Sequence, residues 1–146
     1  MSDYDDLIQH LRANGHRLTP QRRMVLEALQ AGDHHMSADE IAQQITARYP
    51  TISIDLATIY RTLRWLRDVE LVSETSLGQN AMIYALRGRH DHHHLVCTQC
   101  HTVIEIDPEV LEPVRTEIMA RYAFAARLDH IAIFGLCAAC RQGDAP

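Results

Sequence analysis

Residues 53–66 read S-I-D-L-A-T-I-Y-R-T-L-R-W-L and predict an amphipathic helix. The apolar residues of one face recur at helical spacing: Leu56, Ile59, Leu63 and Leu66. Ser53 is placed to cap the helix, and a carboxylate at Asp55 suits the positive end of the helix dipole. We therefore expect one buried face and one exposed, partly basic face that can bind another molecule.

Three further helices are predicted before this one. The first spans Asp3 to Asn14 and ends at Gly15, a common C-terminal cap. The second follows Thr19-Pro20, a cap with proline in the first turn, and the third follows the capping box Ser37-Ala-Asp-Glu40. The residues expected to be buried on these helices are apolar: Leu7, Ile8, Leu11, Met24, Val25, Ala28, Leu29, Ile41 and Ile45.

The pattern of apolar residues changes to a period of two after the fourth helix. Residues 71–76 and 81–86 predict two short strands that residues 77–80 join in a hairpin. Helices followed by a hairpin are the order of a winged helix, in which the fourth helix, second of the helix-turn-helix pair, reads the major groove of DNA. A small helical bundle with an accessory hairpin is the alternative.

The second half of the chain is predicted to be a small domain of mixed structure. Strands are expected near 92–96, 102–107 and 127–134, with a helix at about 109–122 that becomes regular near Pro113. The predicted boundaries are residues 1–86 for a DNA-binding domain, 87–89 for a hinge and 90–146 for the second domain. Because so short a segment buries little surface, it needs a metal, a partner subunit or both.

Composition limits the class of protein. The 146 residues are 47% hydrophobic and 23% charged, which is typical of a globular chain. There is no apolar run long enough to cross a membrane, and the N-terminus does not resemble a signal peptide, so we expect a cytoplasmic protein. The net charge is −5, but residues 10–67 hold eight arginines against five acidic residues, which permits a modestly basic surface there.

Four cysteines give the strongest chemical signal. They form two C-x-x-C motifs, Cys97-Thr-Gln-Cys100 and Cys137-Ala-Ala-Cys140. Four thiolates are the ligand set of a structural zinc site, which stabilises a fold and has no open position for catalysis. A redox pair is the alternative, but such pairs lie in a β-α-β setting that this sequence lacks.

A histidine cluster, His90-Asp-His-His-His94, leads directly into the first cysteine motif. Since side chains alternate along a strand, His92 and His94 should point to one face, and Asp91 and His93 to the other. One strand could therefore supply two separate metal sites, of a kind that suits Fe(II), Zn(II), Ni(II) or Mn(II). The remaining ligands must come from elsewhere, and periodicity does not select among the candidates: His35, Glu105, Glu112 and His130. A solvated polar segment is the alternative.

Taken together, the motifs resemble the ferric uptake regulator family along nearly the whole chain. The stretches that carry the resemblance are Arg17-Leu-Thr-Pro-Gln-Arg22, His35-Met-Ser-Ala-Asp-Glu-Ile41, Asp55-Leu-Ala-Thr-Ile-Tyr-Arg-Thr-Leu63, His90-Asp-His-His-His-Leu-Val-Cys97-Thr-Gln-Cys100, Val103-Ile-Glu105 and Leu136-Cys-Ala-Ala-Cys140. The resemblance implies an α+β protein. It would have an N-terminal winged-helix domain, and a small α/β dimerisation domain that holds zinc through its four cysteines.

Three sets of functional residues follow from the resemblance. The sensory metal site would consist of His35, His92, His94 and Glu105. An additional metal site would consist of Asp91, His93, Glu112 and His130. The DNA-binding residues would be Arg17, Arg22, Thr58, Tyr60 and Arg61, with Tyr60 against thymine methyl groups, Arg61 at phosphates or base edges, and Arg17 in an A·T-rich minor groove.

The implied function is a homodimeric, metal-responsive transcriptional repressor that binds palindromic operator DNA. Iron is the first expectation for the regulatory metal, with zinc or manganese next. Ala85 departs from the family pattern, since iron-sensing members often have a carboxylate at its position. A peroxide sensor of the same family is a close alternative, although such members tend to have aspartate at the position of Glu105. A zinc-stabilised module that binds RNA or protein and a metallohydrolase are remoter alternatives. We expect no enzyme, since H-E-x-x-H, a nucleophile elbow and a glycine-rich phosphate loop are all absent from the sequence.

Overall fold

The computed structural model describes residues 3–32, 35–80, 82–87, 92–128 and 131–143. The chain divides into two compact units, of which the first comprises 1–72 and 83–86, and the second comprises 73–82 and 87–146. The domain boundary at 86–87 stays a prediction. Gly88 and Arg89 of the predicted hinge lie outside the described residues.

Four helices build the first unit: α1 (Asp3–Ala13), α2 (Pro20–Ala31), α3 (Ala38–Arg48) and α4 (Leu56–Asp68). The predicted caps of α2 and α3 are confirmed. The Thr19 hydroxyl accepts the N–H of Arg22, and Ser37 and Glu40 form the reciprocal hydrogen bonds of a capping box. These caps fix where α2 and α3 begin, since they satisfy N–H groups that have no partner within the helix.

The start of α4 differs from the prediction. Asp55, and not Ser53, is the N-cap, and its Oδ1 accepts the N–H of Thr58 at 2.7 Å. Leu56 is consequently the first helical residue, and its side chain is 41% exposed instead of buried. Ile59, Leu63 and Leu66 are buried as predicted, so α4 presents one apolar face to the core of the unit.

The core of the first unit is continuous across its helices. Its largest fully buried apolar side chains are Leu11, Val25, Leu26, Ile41, Ile45, Ile59, Leu63, Leu66 and Val72. Most positions that the sequence assigned to the core are confirmed as buried, while Leu7 is half-buried.

The predicted hairpin is also present, as strands β1 (Val72–Ser76) and β2 (Met82–Leu86) in a two-stranded sheet.

The second unit contains a three-stranded sheet of β3 (His93–Cys97), β4 (Val103–Ile106) and β5 (Ala132–Gly135). The strand order is β4-β3-β5, with β4 antiparallel and β5 parallel to β3. The strand predicted at 127–134 is therefore shorter and begins later. A short helix, α6 (Ala138–Gln142), follows it and was not predicted.

The predicted helix at 109–122 divides into two parts. Pro108–Leu111 forms a 3-10 turn, and the regular helix α5 spans Glu112–Tyr122 with a proline in its first turn. This is where the sequence placed the regular helix, because proline lacks the N–H that positions beyond the first turn need.

Little apolar surface is buried in the second unit. Among its described residues, the buried hydrophobic side chains are Val96, Cys97 and Cys140. Many large apolar residues are exposed instead: Val103, Ile104, Val110, Val114, Met119, Tyr122, Phe124, Ile133, Phe134 and Leu136. The expectation that this half needs further stabilisation thus has a physical basis in the structure. None of the described helices in either unit has both the length and the apolar character that a membrane span requires.

Candidate functional site

The four cysteines meet at the end of the sheet in the second unit. Cys97 is the last residue of β3, Cys100 follows in a turn, and Cys137 and Cys140 flank the start of α6. Their sulfur atoms all lie within 4.8 Å of one another. Backbone N–H groups point at this cluster, since the N–H of Cys137 donates to the Cys97 sulfur at 3.4 Å.

The dimensions of the cluster fit zinc. With Zn–S bonds of about 2.3 Å, a tetrahedral site places its sulfur atoms about 3.8 Å apart. The Cys100 and Cys137 sulfur atoms are separated by 3.7 Å. Four cysteine ligands would complete a tetrahedral zinc site and leave no open position, which suits a structural and not a catalytic role.

The protonation of the thiols is uneven. Hydrogen bonds from the backbone N–H groups of Cys100 and Cys137 lower the pKa of Cys97 to about 5. A hydrogen bond with the Thr102 side chain also lowers the pKa of Cys100, whereas burial raises the pKa of Cys140 to about 12. A cation at the centre of the cluster would lower the pKa of all four thiols, because it stabilises the thiolate form at each position.

A second set of ligand atoms lies at the other end of β3. The Nε2 atom of His92 is 3.4 Å from the Glu105 carboxylate, and the rings of His92 and His94 are 5.2 Å apart. His94 pairs with Glu105 across the antiparallel strands, so both side chains project from the same face of the sheet. These three residues offer ligand atoms within 4.8 Å of one another, as two imidazoles and one carboxylate would around a divalent metal.

The remaining predicted sensory residue, His35, belongs to the first unit. It precedes Met36, whose backbone forms a bridge with Tyr84 of β2. Its imidazole is half-buried.

The additional metal site is only partly described. Asp91 and His130 lie outside the described residues. His93 is 3% exposed, and its Nδ1 accepts the N–H of Ile131 at 3.2 Å. A neutral imidazole has one acceptor nitrogen, so ligation of a metal by His93 requires this hydrogen bond to break. Glu112 begins α5, with its carboxylate 3.6 Å from the guanidinium of Arg115.

The exposed face of α4 carries three of the predicted DNA-binding residues. Tyr60 is 45% exposed and Arg61 is exposed beside it. The Arg61 guanidinium donates to the Thr58 hydroxyl at 3.1 Å, which directs its charge toward the start of the helix. This face therefore offers an aromatic ring and a cation at adjacent positions.

Arg17 and Arg22 have different environments. Arg17 is exposed in the segment between α1 and α2. Arg22 is half-buried, with its guanidinium 3.8 Å from the ring centre of Trp65 and one nitrogen donating to the Arg17 carbonyl at 2.7 Å. The sequence reasoning did not single out Trp65. Its spacing of four residues from Arg61 on one helix was the available signal.

Comparisons with known proteins agree with these features. A model of the ferric uptake regulator family matches residues 13–133. The chain is 35% identical over 140 residues to the peroxide-responsive repressor PerR of Staphylococcus saprophyticus, covering 94% of this chain and 91% of that protein. It is 28% identical over 147 residues to the ferric uptake regulation protein of Campylobacter jejuni, covering 98% and 94%.

Solved structures show the same architecture. The ferric uptake regulator of Vibrio cholerae superposes with a TM-score of 0.64 at 32% identity, covering 88% of this chain and 98% of that one. A zinc uptake regulator in complex with zinc and DNA superposes with a TM-score of 0.56 at 25% identity, covering 99% of each chain. The ferric uptake regulator of Pseudomonas aeruginosa with manganese, at 23% identity and a TM-score of 0.71, matches in fold, over 89% of this chain and 96% of that one.

Proposed function

Because the chain belongs to the ferric uptake regulator family, we propose that it is a metal-responsive transcriptional repressor, with iron as its regulatory metal and zinc at its four cysteines. The observation that carries the proposal is the presence of two chemically different sets of potential ligands near the two ends of one strand. Four thiol groups gather at the end of β3, and His92, His94 and Glu105 gather at its beginning. A thiolate set suits a permanent structural ion, whereas imidazole and carboxylate ligands suit an exchangeable one.

The proposed sensory site takes its fourth ligand, His35, from the first unit. Ligands from both units would make metal binding depend on how the units are arranged. Binding would then shift the population toward one arrangement, by no more than the difference in affinity between arrangements. In a homodimer, that arrangement would set the spacing of two α4 helices against successive major grooves, about 34 Å apart or a related repeat.

The DNA-reading residues of this proposal are Arg17, Thr58, Tyr60 and Arg61, with Arg22 beside them. The exposed aromatic ring of Tyr60 suits contact with thymine methyl groups, and the Arg61 guanidinium suits phosphates or base edges. A cytoplasmic location follows from this partner and from the need for reduced thiols. The proposal assigns the chain no enzymatic role.

A DNA-binding titration tests the proposal. Purified protein with constant zinc at the cysteines receives Fe(II), Mn(II), Zn(II) or Ni(II) in turn, and binding is measured to duplexes that the protein selects from a random library. We expect Fe(II) to increase affinity most, and the increase to be lost in His94→Ala and Glu105→Gln. Glu109→Gln, an exposed carboxylate in the same unit, is the matched control. DNA binding that does not respond to any of the four metals would contradict the sensory role.

A peroxide-responsive repressor is a second candidate, favoured by the relative that is 35% identical. In that case peroxide would oxidise an iron-bound site histidine and release DNA. Mass spectrometry of peptides containing His35, His92 or His94, after treatment of the iron-loaded protein, would detect the added oxygen atom. A hydrolytic enzyme would use the same histidines with an open position for water, and substrate turnover by the purified protein would identify it.

A further inference from the structure

Trp65 is the single tryptophan of the chain and lies at the centre of a stacked group in the first unit. The Arg22 guanidinium lies 3.8 Å from the centre of its ring. The imidazole of His16 meets the same ring edge-on, with ring centres 5.9 Å apart and an angle of 77° between the planes. The indole is half-buried on α4, so these contacts connect α4 with the segment that joins α1 to α2.

The same guanidinium also holds the backbone of that segment. One Arg22 nitrogen donates to the Arg17 carbonyl at 2.7 Å, and the Arg22 N–H donates to the Thr19 hydroxyl at 3.3 Å. At the other end of the segment, the His16 N–H donates to the Leu11 carbonyl at 2.9 Å. The backbone of Arg17 is therefore fixed on both sides while its side chain stays exposed.

An arginine is specifically suited to this arrangement. Its planar guanidinium can stack on an aromatic face and donate hydrogen bonds from its edge at the same time, which the compact ammonium group of lysine cannot do. Both the face and one edge of the Arg22 guanidinium are engaged within the protein. Because these groups are engaged, the Arg22 guanidinium is poorly placed for the direct DNA contact that the family resemblance implied.

Trp65 follows Arg61 by four residues, which is about one helical turn and a rise of about 6 Å. The predicted reading side chains of α4, Tyr60 and Arg61, are thereby linked through Trp65 and Arg22 to the predicted minor-groove residue, Arg17. We infer that Trp65 and Arg22 are positioning residues that hold Arg17 at a fixed place relative to Tyr60 and Arg61. The inference rests on the proposed DNA-binding function, and adds residues that determine how two grooves are read together.

The first test needs no DNA. Hydrogen exchange of the His16 backbone amide, which donates to the Leu11 carbonyl, is compared between wild type, Trp65→Leu and Trp65→Phe. Since a cation–π contact is lost in Trp65→Leu, we expect exchange there to be about fivefold faster, with partial recovery in Trp65→Phe, which keeps an aromatic face. Protection of Ile41 and Ile45 in the core should stay unchanged, which shows that the variant is folded. Equal exchange of the His16 amide in all three proteins would overturn the inference.

The second test measures DNA affinity with a double-mutant cycle. The probe is an A·T-rich duplex selected from a random library by the wild-type, metal-loaded dimer. Trp65→Leu should weaken binding about fivefold in the wild-type background, and less than twofold in the Arg17→Ala background, because its effect passes through Arg17. An equal loss in both backgrounds would overturn the inference.

Salt dependence separates positioning from direct contact. A lost phosphate contact reduces the slope of log affinity against log salt by about 0.9. If Arg22 only positions Arg17, then Arg22→Ala lowers the slope no further once Arg17→Ala is present, with Arg23→Ala as the control of equal charge. A further decrease in that background would identify Arg22 as a phosphate contact and refute the inference. Failure of the wild type to select any duplex would instead refute the proposed function, and the inference with it.

Discussion

Removal of the metal ion from the four-cysteine site should unfold the second unit and leave the first unit folded. The difference follows from where apolar side chains are buried. The largest fully buried apolar side chains all belong to the first unit, whereas Val96 is the one large aliphatic residue buried among the described residues of the second. Complete burial of such a side chain contributes about 1.5–3 kcal/mol, whereas structural zinc in small peptides contributes about 10–16 kcal/mol.

The assay for this prediction is hydrogen exchange followed by mass spectrometry, with zinc release measured in parallel. Reduced protein is treated with a chelator until one zinc ion per chain is released. Amides of β3, β4 and β5 should then exchange at nearly the rate of an unfolded chain, while those of α2 and α4 keep their protection. The comparison uses regions of one molecule, so it needs no reference protein.

Two variants sharpen the test. Cys137→Ser removes one ligand and should reproduce the effect of the chelator. Ala139→Ser introduces the same hydroxyl group at an exposed position of α6 and leaves all four thiols, so it should retain zinc and protection. The reasoning would be refuted if β3 and β5 stayed protected after zinc release with the thiols reduced.

Three further predictions concern protonation and packing. Near pH 7, Cys97 with a pKa of about 5 is already a thiolate, whereas Cys140 with a pKa of about 12 is a thiol. Zinc binding should therefore release at least one proton, and zinc affinity should fall as pH falls. Calorimetry in buffers of different ionisation enthalpy measures the proton release. Hydrogen bonds from Thr58 lower the pKa of Asp55 in the folded state. The Asp55 carboxylate therefore stabilises the fold above its unfolded pKa of about 3.9, and this stabilisation is lost as pH falls through the lower pKa of the folded state. The difference in unfolding free energy between wild type and Asp55→Asn, measured by urea unfolding, should shrink between about pH 6 and about pH 3. Leu63→Ala should destabilise the first unit by about 2–5 kcal/mol, because Leu63 is 1% exposed. Leu56→Ala on the same helix should change the urea midpoint little, because Leu56 is 41% exposed. Equal effects of the two substitutions would contradict the packing described for α4.

The first unit was largely predictable because its signals are local. Thr19-Pro20 and the capping box at Ser37 specify helix starts through hydrogen bonds within four residues, and the apolar period identifies the buried faces. The start of α4 was misassigned by two residues, because Ser53 and Asp55 are both good N-cap residues and the residue type alone does not choose between them. The winged-helix architecture and the gathering of the four cysteines into one cluster are confirmed.

The second unit was harder to predict because its contacts are distant in sequence. β5 pairs with β3 in parallel, and α6 begins where the Cys137 sulfur accepts the N–H of Cys140. Neither feature has a periodic signal, since each depends on how the two cysteine motifs meet. The alternation of His92 and His94 was predictable, because a strand fixes which side chains share a face. The stack on Trp65 was not, because it joins residues from three separate segments.

The central position of β3 has a consequence for measurements on this protein. The strand is hydrogen-bonded to a neighbour on each side, begins next to His92 and ends at Cys97. If His92, His94 and Glu105 bind the regulatory metal as proposed, their alignment would depend on the sulfur cluster at the far end of this strand. We would then expect a preparation depleted of zinc during purification to bind the regulatory metal more weakly. Zinc content has to be assayed in each sample before differences between ions can be interpreted as selectivity.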